Sequence, residues 1–118
     1  MITNFEQITE RLTEEELRLV PVIVKGLEVR ARENPIKGSE IVSAIIKQKE
    51  VYGIKSFSEP RLRKICNFIR IKKILPIIST HKGYYVSYNK EEISNQIKSL
   101  TERAEAILAS AEGLKKFL

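Results

Sequence analysis

The end of the chain constrains the fold most, because residues 90–118 carry the pattern of one long helix. This segment has no proline and a single glycine, Gly113. Its apolar residues follow one another at alternating spacings of four and three: Ile93, Ile97, Leu100, Ala104, Ile107, Ala111, Leu114 and Leu118. Such a period, about 3.5 residues, is typical of a coiled-coil seam. The spacing therefore predicts a long terminal helix with one apolar edge.

We predict that residues 91–118 dimerise through this helix. The proposed contacts are the seam residues that follow Ile93: Ile97, Leu100, Ala104, Ile107, Ala111, Leu114 and Leu118. An alternative is that the first heptad, Ile93 to Leu100, packs back on the rest of the chain. Few charges flank the seam, so both parallel and antiparallel pairing remain open.

The charge of the chain is concentrated in one segment. The net charge is +6, yet residues 1–60 and 91–118 each carry −1. Residues 61–90 contain no acid and eight basic residues: Arg61, Arg63, Lys64, Arg70, Lys72, Lys73, Lys82 and Lys90. Blocks of one charge sign are often solvated and disordered, but this block alternates with apolar residues. An ordered basic surface favours a polyanionic partner.

The elements before the terminal helix are short and clearly bounded. Thr13 to Glu16 forms a capping box, which predicts a helix from Glu14 to about Glu33, with a kink at Pro21. Ser39 is the expected N-cap of a second helix ending near Glu50. Ser58-Glu59-Pro60 begins a third, which ends near Arg70. Two β-rich runs over residues 74–79 and 84–88 then flank a Thr80–Gly83 loop, which predicts a hairpin.

The third helix separates its apolar and polar residues onto two sides. At 100° per residue, Arg63, Asn67 and Arg70 fall within about 60° of one another, and Lys64 lies beside them. Leu62, Ile65 and Ile69 lie on the opposite side. Arg pairs with guanine and Asn with adenine in the DNA major groove. The stripe therefore favours DNA contact, with a solvated basic face as the alternative.

This order of elements resembles a winged helix-turn-helix domain, and in particular small winged-helix proteins of phages and prophages. The residues that carry the resemblance are Ser39-Glu40-Ile41-Val42, the helix start Ser58 to Ile65, and the hairpin Ile77 to Val86. It covers about residues 13–90, between an N-terminal helical arm (1–12) and the dimerisation helix (91–118). The fold class expected is mainly α with a β-hairpin (α+β), with a winged helix-turn-helix core and a coiled-coil helix.

In that family the third helix enters the major groove and the wing contacts backbone or minor groove. The resemblance assigns Arg61, Arg63, Lys64, Asn67 and Arg70 to the groove side, and His81 and Lys82 to the wing tip. Together with Lys73 from the basic block, these eight residues are the predicted nucleic-acid contacts. His81 has the alternative of a solvated turn residue. For Tyr84, Tyr85 and Tyr88, strand alternation predicts that some of them pack in the core, with base stacking as the alternative.

Composition argues against catalysis and against metal sites. The chain has no Asp, one His and one Cys, so it cannot by itself build a Ser-His-Asp triad or a Cys/His zinc site. Cys66 is predicted to pack in the interior. The three carboxylates Glu14, Glu15 and Glu16 are explained by helix capping. We expect no enzyme activity, no cofactor and no small-molecule ligand.

These features favour a cytoplasmic protein that binds double-stranded DNA as a homodimer, as a phage-type transcriptional regulator or replication accessory protein. A single cysteine permits no internal disulfide, and the first residues lack the pattern of a signal peptide. No apolar run is long enough for a membrane span, so no membrane association is expected. The alternative is a protein-protein interaction adaptor that uses the winged-helix scaffold and the coiled-coil helix.

Overall fold

A computed structural model describes residues 11–118. The protein is mainly helical with one antiparallel hairpin and a long C-terminal helix, which confirms that part of the predicted fold class. Almost all of the predicted N-terminal arm, residues 1–12, lies outside the described residues. The elements are α1 (Glu14–Leu27), α2 (Gly38–Lys47), α3 (Lys49–Tyr52), α4 (Glu59–Ile71), β1 (Ile77–Thr80), β2 (Gly83–Val86), α5 (Lys90–Leu114) and a 3-10 turn (Lys115–Phe117).

Helix α1 begins as predicted but ends earlier. The Thr13 hydroxyl accepts a hydrogen bond from the Glu16 N–H at 3.2 Å, and the Glu16 carboxylate accepts one from the Thr13 N–H at 2.8 Å. The helix continues through Pro21 and ends at Leu27 rather than near Glu33. The prediction was wrong because the Asn34 side chain accepts a hydrogen bond from the Ala31 N–H at 2.8 Å. A local side-chain acceptor of this kind competes with helix formation.

The second predicted helix is divided in two. Helix α2 begins at Gly38, with Lys37 as its N-cap instead of Ser39, and the Glu40 carboxylate accepts a hydrogen bond from the Lys37 N–H at 3.2 Å. At Gln48 the backbone leaves the helical region, with φ −117° and ψ 26°. The single turn α3 follows and ends at Gly53, whose φ of 66° requires a residue that tolerates the left-handed region.

The hairpin is shorter than predicted, and its loop consists of His81 and Lys82. Strand β1 pairs with β2 in the register Ile77↔Val86, Ile78↔Tyr85, Ser79↔Tyr84 and Thr80↔Gly83. Residues 74–76 are not in the strand, because Ile74 donates its N–H to the Ile69 carbonyl at the end of α4 and Pro76 has no N–H to donate to a strand ladder. The loop before α2 adds one antiparallel bridge to β2. The Ile36 N–H donates to the Tyr84 carbonyl at 2.9 Å, and the Tyr84 N–H donates to the Ile36 carbonyl at 2.7 Å.

The hydrophobic core lies around α4, which is the central helix of the unit that ends at Ser87. Leu62, Ile65 and Ile69 on α4 have no exposed surface, and Cys66 is also buried. Each fully buried aliphatic side chain contributes roughly 1.5–3 kcal/mol of transfer free energy. They pack with residues from the other elements of this unit: Leu19, Ile23, Leu27, Ile41, Ile45, Ile54, Phe57, Leu75, Ile77 and Val86.

Residues Tyr88–Leu118 form a second compact unit that consists of α5 and the 3-10 turn. The Asn89 side chain caps the helix by accepting a hydrogen bond from the Glu92 N–H at 3.0 Å. The predicted long terminal helix is therefore present and ends as an α-helix at Leu114. Among residues 11–118, no helix has the combination of length and apolar character that crossing a membrane requires.

The end of α4 contains a backbone conformation that its residue does not favour. Lys73 adopts φ 59°, and the Ile74 N–H donates to the Ile69 carbonyl at 3.0 Å, as in a Schellman motif. A left-handed conformation costs an L-residue with a side chain about 1 kcal/mol, whereas glycine adopts it freely. We expect Lys73→Gly to raise the free energy of unfolding by about 0.5–1 kcal/mol in urea denaturation. A lower stability would contradict the left-handed assignment.

Candidate nucleic-acid interface

Helix α4 presents a half-exposed stripe on the side opposite its buried core residues. Arg63, Asn67 and Arg70 are all partly exposed, whereas Leu62 and Ile69 are fully buried. The structure thus places the three predicted stripe residues on one face. They share it because α4 is packed on its other sides against α1, α2 and the hairpin.

Arg63 and Asn67 are the stripe residues whose polar groups are available to bind a ligand. Within residues 11–118 neither side chain makes a hydrogen bond or ion pair. They lie four residues apart, so they project from successive turns of the same helix face, about 6 Å apart along the axis. A guanidinium and a carboxamide at this spacing can each donate to a ligand that lies along the helix.

Arg70 lies on the same face but binds the hairpin. Its Nε donates to the Ile77 carbonyl at 3.0 Å and its Nη2 to the Ser79 hydroxyl at 3.1 Å. Arg70 is partly exposed, and its side chain connects α4 to β1. Its local role is therefore to hold the hairpin beside the stripe.

The expectation that Lys64 lies on the open face beside the stripe is wrong. Lys64 is 5% exposed, and its ammonium donates to the Glu16 carboxylate at 2.8 Å. Helical spacing places Lys64 next to the stripe, but the first turn of α1 covers that side of α4. The charge of Lys64 is consequently neutralised inside the protein.

Arg61 is engaged in the same cluster of charges. Its Nε donates to the other Glu16 carboxylate oxygen at 2.9 Å, and its Nη1 to the Ser56 carbonyl at 2.7 Å. The guanidinium also lies 3.6 Å from the Glu15 carboxylate and 6.0 Å from the centre of the Phe57 ring. Arg61 therefore lies against α1, away from the arc of the stripe.

Glu16 is the acceptor that organises this cluster, and capping is only part of its role. Its side chain is 2% exposed. Burial alone would raise the pKa of the carboxyl, but three hydrogen bonds outweigh that effect. They come from Lys64, the Thr13 N–H and Arg61, and they lower the pKa of Glu16 from 4.5 to about 2. The carboxylate is therefore charged over the whole physiological pH range.

The remaining predicted contacts lie at the end of α4 and in the hairpin loop. Lys73, His81 and Lys82 are all exposed. His81 also lines a groove of about 290 Å³ between the hairpin and the starts of α2 and α4. The other residues that line the groove are Lys37, Gly38, Ser39, Glu59, Ser79, Thr80, Gly83 and Tyr84.

The groove adds Lys37 to the cationic residues near the stripe, and sequence reasoning missed it. Lys37 is exposed and directly precedes α2. In the sequence it belongs to a short loop outside the basic block, with no periodic pattern around it. Only the bridge between Ile36 and Tyr84, 48 residues later, brings this loop to the hairpin. No local signal predicts that pairing.

The tyrosines and the cysteine differ in their surroundings. Tyr85 is buried, which agrees with the prediction that some of these tyrosines lie in the core, whereas Tyr88 is 75% exposed. Tyr84 is half-buried in the groove, where burial raises the pKa of its hydroxyl to about 12. Cys66 is buried as predicted, and burial raises the pKa of its thiol to about 12. A thiol in this state is protonated and unreactive at neutral pH.

These side chains together form a cationic surface made of one helix face, a hairpin loop and the residue before α2. Arg63 and Asn67 are partly exposed on α4, and Lys37, Lys73, His81 and Lys82 are exposed at the neighbouring elements. Comparison with known proteins gives no further guide to this surface: no family model, no curated protein and no solved structure matches the chain.

Proposed function

We propose that the protein binds double-stranded DNA as a winged helix-turn-helix protein, with α4 as the recognition helix and β1–β2 as the wing. The observation that carries this proposal is the partly exposed pair Arg63 and Asn67, whose side chains have no hydrogen-bond or ion-pair partner within residues 11–118. The pair lies in the segment 61–90, which contains no acidic residue, beside the hairpin that Arg70 holds to α4.

The chemistry of the pair suits the major groove. An arginine guanidinium donates two hydrogen bonds to guanine O6 and N7, and an asparagine carboxamide pairs with adenine N6 and N7. The exposed cations of the surrounding loops suit phosphates, because phosphate neutralisation releases counterions and supplies most of the affinity. In this proposal Arg63 and Asn67 contact bases, while Lys37, Lys73, His81 and Lys82 contact the backbone.

The proposed functional form is a homodimer joined through α5. A dimer presents two recognition helices to two half-sites, which usually lie one or more helical turns of DNA apart, at about 34–36 Å per turn. The support for the dimer is the unbroken seam of apolar residues, of which Ile97 and Leu114 are more than half exposed. Such a protein is suited to act as a small regulator or a replication accessory factor.

We expect Arg63→Ala to weaken DNA binding about 10- to 100-fold, since a bidentate arginine contributes roughly 1–3 kcal/mol of discrimination. Arg63→Glu should abolish binding. The measurement is fluorescence anisotropy on mixed duplex DNA at roughly 50 and roughly 200 mM salt, where the wild type should lose affinity steeply. Lys25→Ala is the matched control, because Lys25 is an exposed cation on α1 outside the proposed surface.

Two outcomes would contradict the proposal. The first is unchanged affinity of Arg63→Ala and Arg63→Glu, which would remove the stripe from the contact surface. The second is the absence of binding by the wild type at micromolar protein and low salt. That result would favour a protein-protein interaction adaptor, in which the same cationic face meets an acidic protein.

A further inference from the structure

The seam of α5 is an apolar face without a partner in the unit Tyr88–Leu118. Ile97 exposes 58% of its surface, Leu114 66% and Leu118 all of it, and the flanking Leu108 and Phe117 expose 68% and 80%. Each of these large side chains exposes more than half of its surface, and a stable specific interface buries about 800 Å² on each partner. A face of this size requires an occupant of similar length and apolar pattern.

We infer that a second copy of α5 covers this face in the antiparallel direction, in the register that places Ala104 opposite Ile107. The same register places Ala111 opposite Leu100, and Ile97 opposite Leu114. This inference rests on the proposed homodimer and specifies its geometry. It gives six paired layers between Ile97 and Leu114, and Leu118 extends them toward Ile93.

The distribution of small residues along the seam selects the direction. In the antiparallel register each alanine faces a large side chain, so that no layer consists of two alanines. In a parallel, in-register pair, Ala104 and Ala111 would each face their own copy. Two alanine layers between layers of leucine and isoleucine would leave voids, and protein interiors are packed too densely to tolerate such voids without a loss of stability.

The positions of the β-branched residues lead to the same conclusion. In heptad notation, Ile93 and Ile107 occupy d positions, and the alanines occupy a positions. Parallel two-stranded coiled coils prefer β-branched residues at a and leucine at d. The two isoleucines at d and the two alanines at a depart from that pattern, whereas Ile97 at a and Leu100 and Leu114 at d match it, so only part of the seam has the side chains that stabilise a parallel dimer.

The flanks of the antiparallel register are also compatible. It places Leu108 opposite Thr101 and Arg103 opposite Ser110, so no like charges meet across the interface. A parallel pair would instead place Leu108 beside Arg103 of the other chain. Leu108, which is 68% exposed in a single chain, gains an uncharged neighbour only in the antiparallel arrangement.

Distances between two identical labels test this geometry in the full chain. We would replace Glu91 or Glu105, both exposed outside the seam, with cysteine and attach a spin label for pulsed dipolar spectroscopy. Glu105 lies at the centre of the antiparallel register, so its labels should be within about 20 Å of each other. Labels at position 91 should be separated by about 44 Å along the axis, at 1.5 Å per residue. Cys66 is 1% exposed, and the unaltered chain is the control for its labelling.

A short distance between the labels at position 105, together with a long distance between the labels at position 91, supports the inference. Short distances at both positions establish a parallel pair and overturn it, although the dimer itself stands. The absence of a dipolar distance at both positions indicates a monomer and overturns the dimer as well. The measurement needs no DNA, so its result is independent of whether Arg63 contacts a duplex.

Discussion

Replacing Glu16 with glutamine is expected to lower the free energy of unfolding by about 3 kcal/mol at pH 7. The substitution keeps the shape of the side chain and removes its charge. Lys64, which is 5% exposed, would then be a buried cation without a counter-charge. Arg61 would lose the carboxylate that its Nε contacts at 2.9 Å. Urea denaturation followed by circular dichroism measures the effect.

The same carboxylate predicts how stability depends on pH. The pKa of Glu16 is about 2 in the folded protein, below its ordinary value of 4.5. A lowered pKa means that the folded state binds this proton less readily than the unfolded state does. The contribution of Glu16 is therefore complete above pH 4.5 and is lost as the pH falls toward 2. The Glu16→Gln variant should lack this part of the acid dependence.

Two further variants separate the buried pair from a general charge effect. Glu15→Gln removes a neighbouring carboxylate that is 25% exposed and 3.6 Å from Arg61, so it should cost at most about 0.5 kcal/mol. Lys64→Met combined with Glu16→Gln removes both buried charges and should recover much of the loss, since apolar replacements of buried pairs are often tolerated. Equal effects of Glu15→Gln and Glu16→Gln would refute the proposed cluster.

Local signals in the sequence predicted the starts of α1 and α4, but placed the N-cap of α2 at Ser39 instead of Lys37. The Thr13 to Glu16 capping box and the Ser58 to Pro60 helix start act within one turn of the chain, and each marks a boundary in the structure. The long terminal helix was also predictable, because its apolar spacing is uninterrupted over many turns. In each case the residues that decide the structure are neighbours in the sequence.

The misassigned cations depend on contacts between distant residues. Helical spacing predicts that Lys64 faces the DNA groove, yet the carboxylate that it binds, Glu16, is 48 residues away in the sequence. The sequence predicts only helix capping for the Glu16 carboxylate, although it also binds Arg61 and Lys64 of α4. Charge counts and helical angles do not reveal which carboxylate a cation meets. The stripe was therefore predicted correctly for Arg63 and Asn67, and incorrectly for Lys64.

Gly83→Ala is the second substitution with a large expected effect, because Gly83 is in contact with another segment of backbone. An added Cβ would lie 2.5 Å from the carbonyl oxygen of Ile36 and 2.6 Å from its carbonyl carbon. The backbone atoms of Ile36 cannot move away from the added Cβ as the end of a flexible side chain could. The φ of 130° at this position is also strained for any residue with a side chain.

The expected cost of Gly83→Ala is about 3 kcal/mol, which combines strain at this φ with the loss of hydrogen bonds between Ile36 and Tyr84. Those two hydrogen bonds, at 2.7 and 2.9 Å, join the loop before α2 to the hairpin. Urea denaturation gives the stability, and hydrogen exchange of the Ile36 and Tyr84 amides reports the bridge directly. Both amides should exchange faster in the variant.

Gly26→Ala is the matched control, since it makes the same chemical change at a glycine with nothing within 4 Å of the added Cβ. Gly26 lies in the last turn of α1, where alanine should stabilise the protein by about 0.5–1 kcal/mol. Opposite signs for the two variants would show that the close approach to Ile36, and not the loss of a glycine as such, determines the effect. If Gly83→Ala were neutral, the loop carrying Lys37 would be free of the hairpin, and Lys37 would have no fixed place beside His81 on the proposed DNA-binding surface.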